Sequence, residues 1–237
     1  MEPSGLTGAL HDGGWKERER LAGLALPPLV ATGFYYALPP SLQSLPAVQF
    51  LPQALAYLGF AGWAIRNGDV PRRIGLTVHQ LGQGLRWGVI TGLILGGVNL
   101  SVILWLVPLL GGDISFLRET PHARVPAAIM LPWLILLIAM AVELNFRGFL
   151  VGRLMSLCAR AGAGRAVAQT LAVAGAALAF AFDPFMVATF RHLHWIAVWD
   201  GIVWGAIWVR LRNLHAPIVA HAVEVIILYS VLKIVLS

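Results

Sequence analysis

The chain has 237 residues, of which 58% are hydrophobic and only 12% charged, and its mean hydropathy is +0.77. Soluble domains carry roughly 25% charged residues, so this composition excludes an ordinary soluble domain and predicts a polytopic membrane protein. The net charge of +6 is spread over single or paired basic residues between apolar stretches, which argues against nucleic acid as a partner. A single cysteine, Cys158, excludes an internal disulfide and a cysteine-based metal site.

The predicted organisation is a tail followed by one membrane domain. Residues 1–20 are polar and charged and are predicted to form a flexible cytoplasmic tail, and 21–237 a single transmembrane domain. A helix needs about 20 residues to cross a bilayer, and open sheets cannot satisfy their backbone groups in lipid. The fold class is therefore predicted to be all-α, a transmembrane helical bundle of about seven spans. The spans are placed at 21–38, 47–65, 86–110, 126–149, 165–184, 192–209 and 214–236.

The distribution of basic residues predicts the orientation of these spans. Of the 17 lysines and arginines, all but Arg118, Arg124, Arg191 and Lys233 fall on one side of the predicted bundle. The positive-inside rule assigns that side to the cytoplasm, with the N-terminus inside and the C-terminus outside. The chain is accordingly expected in a cell membrane, most simply a bacterial-type inner membrane, with the lipid bilayer as its surroundings. Two connecting segments, about 66–85 and 111–125, are predicted to form short interfacial helices.

Ionisable residues within the predicted spans are the candidates for function, because each costs about 3 kcal/mol or more at mid-membrane. Glu143 and Arg147 are four residues apart, and His221 and Glu224 are three apart, so each pair shares a helical face. Glu143 and His221 are both predicted near the cytoplasmic ends of their spans, and we expect them to meet in one cavity that opens to the cytoplasm. The other candidates are Asp183, His192, His194 and Asp200.

A carboxylate and a histidine in a low-dielectric, water-accessible pocket suit general acid–base hydrolysis, and a nearby arginine can hold the carboxylate or bind an oxyanion. Two other interpretations remain open from the residues alone. The Glu143–Arg147 pair can be structural, with His221 bonded to backbone, or the charges can serve a transport or ion pathway.

Two segments resemble motifs of a known family. Residues 142–150, VELNFRGFL, resemble the Glu-Glu-x-x-Phe-Arg-Gly motif of the CAAX-protease and bacteriocin-processing (CPBP) family, which are intramembrane proteases of the Ras-converting-enzyme type. Residues 212–222, RNLHAPIVAHA, resemble that family's third motif. Segments 201–205 and 73–76 also fit the family pattern, so the resemblance covers roughly 70–230. It implies a peptide or protein substrate, membrane-anchored in some relatives.

The chain departs from the family pattern at two motif positions. The catalytic glutamate of the family is usually the first of the pair, where this chain has Val142, and only the second position is filled, by Glu143. The third motif usually continues to an asparagine, where this chain has Val225, directly after Glu224. The second motif, Phe-x-x-x-His, matches residues 190–194 and would make His194 catalytic. An alternative placement on 179–184 puts a proline in the histidine position.

The predicted function is therefore an intramembrane endopeptidase whose catalytic residues are Glu143, Arg147, His221, Glu224 and His194. Either Glu143 or Glu224 supplies the base beside His221. The alternative is a catalytically inactive family member that acts as a membrane peptide-binding, immunity or scaffold protein. No cofactor is required. A divalent metal such as zinc is compatible only with the local pairs His192/His194 and His221/Glu224, and neither has the His-Glu-x-x-His spacing.

Overall fold

The computed structural model describes residues 19–236, and every regular element in that range is helical. The eight main helices are α1 Leu26–Tyr35, α2 Leu51–Arg66, α3 Leu81–Ser101, α4 Ala127–Arg160, α5 Arg165–Ala181, α6 Pro184–Phe190, α7 Ile196–Leu211 and α8 His215–Val235. Short helical segments lie before α1, at Ala22–Ala25, and between the main helices, at Pro40–Gln43, Pro46–Gln49, Val70–Ile74, Val78–Gln80, Val102–Leu106, Val107–Leu109, Ser115–Glu119, Pro121–Arg124 and Arg191–Leu193. The predicted all-α class is therefore confirmed.

Three helical segments within the described residues are long and apolar enough to cross a membrane: Val70–Leu109, Ala127–Arg160 and His215–Val235. A fourth is formed if α5 and the segment Pro184–Leu193, which meet at a bend of 52°, count as one broken span. These segments make the chain a membrane protein. The predicted count of seven is not confirmed, although each predicted span contains a helix. Helix α1 has 10 residues and α2 and α7 have 16 each, which is shorter than the roughly 20 residues of a typical membrane span, so these helices are not counted among the candidate segments.

Helix α4 extends well beyond its predicted end. The prediction placed this span at 126–149, but the helix continues to Arg160 through a π-helical stretch at Leu144–Val151. Arg153, predicted to lie on the cytoplasmic side, is buried within it. The short helices at Val70–Ile74 and Pro121–Arg124 confirm that the two connecting segments are partly helical.

Helices α3 and α8 run parallel and pack along a row of glycines. A Cβ atom added at Gly88 would lie 2.5 Å from the Cβ of Val219, and one at Gly92 would lie 2.6 Å from the Ala220 carbonyl oxygen. Glycine removes the side chains that would keep the two backbones apart. The close approach brings the far end of α3, which carries Asn99, against α8 at Glu224.

The end of the bundle at which α4 and α7 terminate and α3 and α8 begin is here called the basic end. It is closed by the buried side chains of Ile74, Trp208 and Leu214. The Trp208 indole donates to the Ile74 carbonyl at 2.8 Å, and the Leu214 amide donates to the Gly75 carbonyl at 2.7 Å. Gly75 has φ of +79°, and a Cβ there would lie 2.3 Å from the Arg212 carbonyl oxygen, so this turn requires glycine.

A buried ionic cluster near the basic end fixes the start of the described chain. The carboxylate of Glu19 lies 2.6 Å from Arg153 Nε and accepts a hydrogen bond from the Trp63 indole at 2.9 Å. Ser156 donates to its other oxygen, and Arg160 donates to its backbone carbonyl. Residues 1–18 of the predicted tail, 1–20, lie outside the described residues. Glu19, which the prediction placed in that tail, is packed inside the bundle.

Candidate active site

Glu143 and Arg147 face the interior of the bundle from the middle of α4. The Arg147 Nη1 atom donates to Glu143 Oε1 at 3.0 Å, and the two side chains are 1% and 0% exposed. Glu143 ends the regular α-helical part of α4, and every residue of the π-helical turn from Asn145 to Val151 is buried. π-helical turns of this kind are frequent at functional sites because they reposition side chains within a helix.

His221 of α8 completes the pair. Its Nδ1 atom lies 2.9 Å from the same Glu143 Oε1 atom that Arg147 contacts. The imidazole stacks on the indole of Trp204, with ring centroids 4.5 Å apart and an interplanar angle of 17°. The expectation that Glu143 and His221 share one site therefore agrees with the geometry, although their chemical roles stay predictions.

The contact with Glu143 decides the proton arrangement of a neutral His221. A carboxylate only accepts hydrogen bonds, so Nδ1 carries the proton and Nε2 keeps its lone pair. No hydrogen bond to Nε2 is found within residues 19–236, and the His221 side chain lines the large cavity described below. This is the arrangement in which a histidine accepts a proton, with the carboxylate behind it holding the tautomer.

The Arg147 guanidinium occupies an aromatic cage. Its central carbon lies 4.9 Å from the ring centre of Phe180 and 5.0 Å from that of Trp204, a distance at which cations interact favourably with π-systems. Gly201 makes room for it, because a Cβ there would lie 3.3 Å from Arg147 Nη2 and 2.8 Å from the Ala177 Cα. The cage holds the arginine against Glu143 and away from the cavity.

A cavity of about 660 Å³ lies beside these residues. Its lining is mostly apolar, and residues of all the main helices except α1 contribute to it. Its polar side chains include Asn99, Asn145, Asp183, Asp200, His221 and Glu224. Glu143 and Arg147 are not part of the lining and lie behind His221, so the histidine is the member of the triplet that faces the cavity. The volume lies in the range of ligand-binding pockets, about 300–1,000 Å³.

The cavity lies towards the end opposite the basic end. Its lining reaches the surface at Arg118 and Lys233, which are exposed and belong to the 111–125 connection and the last turn of α8. His122 lies at the same rim with its ring near Phe190, and burial lowers the pKa of this imidazole. The predicted opening towards the basic, cytoplasmic end does not agree with this position. The basic end is instead closed, and a Cβ at Gly148 would already meet Leu214 at 3.2 Å.

A second polar cluster lies on the cavity wall. The Asn99 amide nitrogen, Nδ2, is 3.1 Å from both carboxylate oxygens of Asp200 and 2.6 Å from Glu224 Oε1. The amide oxygen of Asn99 accepts from the Trp199 indole at 2.9 Å, which fixes the orientation of the amide. Glu224 therefore does not bond to Glu143 or His221 but to α3 and α7.

His194, the predicted second-motif histidine, lines the same cavity but does not join either cluster. Its Nδ1 atom is held by the Arg191 carbonyl, and its ring packs edge-on against Phe182 at 5.2 Å. Within residues 19–236 it forms no hydrogen bond with Glu143, His221 or Glu224. Asp183 caps α6 by accepting from the Phe185 amide at 3.1 Å, which is a structural role.

Both valines at the departing motif positions face the cavity, since Val142 and Val225 line its wall. Of the predicted catalytic set, the structure brings Glu143, Arg147 and His221 into contact, places Glu224 in the second cluster and leaves His194 apart. Sequence reasoning did not select Asn99, because a lone amide in a glycine-rich helix carries no charge to mark it. Asp200 was noticed only as an ionisable residue in a span.

The described residues contain no group of three or more His, Cys, Asp or Glu side chains arranged to hold a metal ion. His192 contacts the Phe116 ring at 5.2 Å, whereas His194 contacts Phe182, so these two histidines face different neighbours. A divalent metal at this site stays a prediction.

No protein-family model matches the chain, and searches among curated proteins and among solved structures find no match either.

Proposed function

We propose that this protein is an intramembrane endopeptidase of the CPBP type that hydrolyses a peptide bond in its membrane cavity. The observation that carries the proposal is the buried Glu143 carboxylate. It contacts both Arg147 Nη1 and His221 Nδ1 at 3.0 and 2.9 Å, while the imidazole faces a cavity of about 660 Å³. We further propose that the chain crosses a cell membrane seven times, with its N-terminus in the cytoplasm.

His221 acts as the general base in this proposal. Its Nε2 lone pair takes a proton from a water molecule as the water oxygen bonds to the carbonyl carbon of the substrate. The tetrahedral intermediate then collapses, the C–N bond breaks, and the amine nitrogen takes up a proton as it leaves. General base catalysis of this kind contributes about 10²–10⁴-fold in rate.

Glu143 and Arg147 act through the histidine. The Glu143 carboxylate holds the Nδ1–H tautomer and stabilises the imidazolium that forms after proton transfer. Arg147 fixes the carboxylate and balances its charge in a buried environment, where an unpaired carboxylate would cost several kcal/mol. Glu143 is therefore a positioning residue rather than the base, which makes the loss of a carboxylate at Val142 compatible with catalysis.

The substrate enters from the rim at Arg118 and Lys233 in this proposal, and this rim faces away from the cytoplasm in the predicted orientation. The apolar lining suits a hydrophobic or membrane-anchored peptide segment, because burial of apolar surface drives binding to such a wall. The bilayer is thus both the surroundings of the protein and the environment that delivers the substrate.

A second candidate function is a catalytically inactive peptide-binding, immunity or scaffold protein. The position of Val142 favours it, because this valine lines the cavity where the family motif carries its catalytic glutamate. In that case the cavity binds a peptide, and the Glu143–Arg147–His221 contacts only stabilise the bundle.

The test is a cleavage assay with the full chain reconstituted in liposomes and a library of fluorogenic peptides that carry a membrane anchor. The proposal expects cleavage by the wild type, and loss of cleavage in His221→Ala without loss of the folded protein. Glu119→Gln serves as a control, because this exposed carboxylate pairs with Arg191 at the surface, at 3.6 Å.

Binding and cleavage are measured on the same peptides to separate the two candidates. Peptides that bind the wild type with micromolar affinity but are never cleaved would support the binding protein and overturn the peptidase. Equal cleavage by the wild type and His221→Ala would remove the histidine from the mechanism.

A further inference from the structure

The Asn99–Asp200–Glu224 cluster has no role in the proton transfer to His221 proposed above, and its charge arrangement is unusual. One amide nitrogen lies within 3.1 Å of oxygens from both carboxyl groups, and the two side chains are 4% and 2% exposed. The second Glu224 oxygen, Oε2, is buried and has no hydrogen-bond partner within residues 19–236. A carboxylate oxygen in that position is costly unless the group is neutral.

The groups that face the cluster do not supply enough positive charge for two carboxylates. Helix α4 contributes the charges of Glu143 and Arg147, and helix α3 contributes the neutral amide of Asn99. His221 of α8 makes its hydrogen bond with Glu143 instead. Arg147 already pairs with Glu143 at 3.0 Å. Two carboxyl groups that share one donor in a buried site cannot both be ionised at low cost, because the like charges repel without solvent screening.

We propose that Asp200 and Glu224 hold one proton between them and that Glu224 donates it to the leaving amine. The inference rests on the peptidase function proposed above and assigns the acid of that reaction. Glu224 is the donor because it lines the cavity one helical turn from His221, on the same face of α8. Asp200 is the partner that shares the proton, and Asn99 holds the two groups together.

Two protons move in this step. His221 Nε2 takes one proton from water as the C–O bond forms, and Glu224 gives its proton to the amine nitrogen as the C–N bond breaks. The products are a carboxylic acid and a neutral amine, while the site holds an imidazolium and one additional carboxylate. Transfer of the histidine proton to the carboxyl pair, through water, restores the starting state.

A separate acid divides the two proton transfers between two groups at different positions on the cavity wall. The imidazole is fixed in place, because its Nδ1 is held by Glu143 and its plane is stacked on Trp204 at 4.5 Å. Glu224 lies one helical turn away and supplies a second proton-transfer group to the same cavity.

The shared proton is tested without any substrate. The infrared spectrum of the full chain in dodecyl maltoside, a detergent without carbonyl groups, is recorded at neutral pH for the wild type, Glu224→Gln and Asp200→Asn, with Glu119→Gln as the exposed control. We expect a carbonyl band of a protonated carboxyl group in the wild type and in the control, and its loss or displacement in the other two variants. Absence of the band in the wild type, or a band unchanged in Glu224→Gln, overturns the inference.

The donation step is tested with 4-nitrophenyl hexanoate and hexanoic acid 4-nitroanilide, which share an acyl group and differ in the need to protonate the leaving group. We expect Glu224→Gln to lower anilide hydrolysis about 10²-fold or more and ester hydrolysis less than about threefold, whereas His221→Ala lowers both. Equal loss on both probes in Glu224→Gln overturns the donor role. If the wild type hydrolyses neither probe, both the donation step and the peptidase function are overturned. The infrared experiment still tests the shared proton in that case, because it uses no substrate.

Discussion

The bundle contains two buried glutamate–arginine pairs, which have the same residue types but different neighbours. Glu19 and Arg153 lie near the basic end, where both oxygens of the Glu19 side chain have partners and the Arg153 guanidinium lies 3.9 Å from the ring centre of Trp63. Glu143 and Arg147 lie beside the cavity, where Glu143 Oε2 and two nitrogens of Arg147 have no hydrogen-bond partner within residues 19–236. The first cluster joins the start of the described chain to α2 and α4. The second cluster contacts His221, which lines the cavity.

Burial of a charge pair does not by itself mark a functional site. Both pairs are almost fully buried, and both are supported by aromatic rings. What differs is whether the cluster contacts a titratable group that faces a cavity. Only the Glu143 pair does, through His221, and the predictions below separate a catalytic cluster from a structural one.

The largest effect is expected for Glu143→Gln. A neutral amide no longer selects the Nδ1–H tautomer or stabilises the imidazolium, so cleavage per folded molecule should fall about 10³–10⁴-fold. The change also leaves the buried Arg147 without its anionic partner, so we expect a loss of stability of about 3–5 kcal/mol as well. Initial rates in liposomes and thermal unfolding in detergent measure the two quantities. A variant that retains full activity, or one that loses activity only because it unfolds, would place this cluster in the structural class.

Glu19→Gln should lower stability but leave the rate per folded molecule unchanged. Removal of one partner from a buried ion pair leaves Arg153 uncompensated, which costs about 3–5 kcal/mol of stability. We expect a clearly lower midpoint of thermal unfolding and unchanged cleavage per folded molecule. The measurement is unfolding combined with the rate per active protein, and a selective loss of rate would show that the two clusters are coupled.

Gly201→Ala should affect stability and activity together. The added Cβ would approach Ala177 to 2.8 Å and Arg147 Nη2 to 3.3 Å, so helix α7 or the guanidinium must move. Overpacking of this kind costs about 1–3 kcal/mol, and we expect cleavage to fall by about tenfold. Gly205→Ala is the matched control, because its Cβ would meet only Val173, at 3.0 Å, and should change stability alone.

The smallest effect is expected for His194→Ala. This histidine lines the cavity but is held by the Arg191 carbonyl and packs on Phe182, and within residues 19–236 it forms no hydrogen bond with Glu143, Arg147 or His221. We expect cleavage to change less than about threefold. A loss as large as that of His221→Ala would instead make His194 the second-motif histidine and would require it to approach the substrate directly.

Part of the site was predictable because it follows from spacing along one helix. Glu143 and Arg147 had to share a face of α4, and the same reasoning placed Glu224 on the same side of α8 as His221. Asn99 could not be found in this way, since its partner Asp200 is 101 positions away and the contact depends on how closely α3 packs on α8. The end of the bundle at which the cavity opens was also not predictable. Counting residues from the end of a helix gives the depth of a side chain, but it does not show which end of the bundle is closed by side chains from other helices.

By itself, the sequence determined the class of the protein and its candidates for chemistry. Scarcity of charge and long apolar stretches dictate helices in a membrane, and each ionisable residue within them is conspicuous because its burial is costly. The tertiary structure alone decided which of these residues meet. It brings Glu143 into contact with His221, 78 positions away, and places Glu224 beside Asn99 and Asp200. His194 forms no hydrogen bond with either group within residues 19–236. Contacts between helices depend on packing geometry, and no local pattern in the chain encodes that geometry.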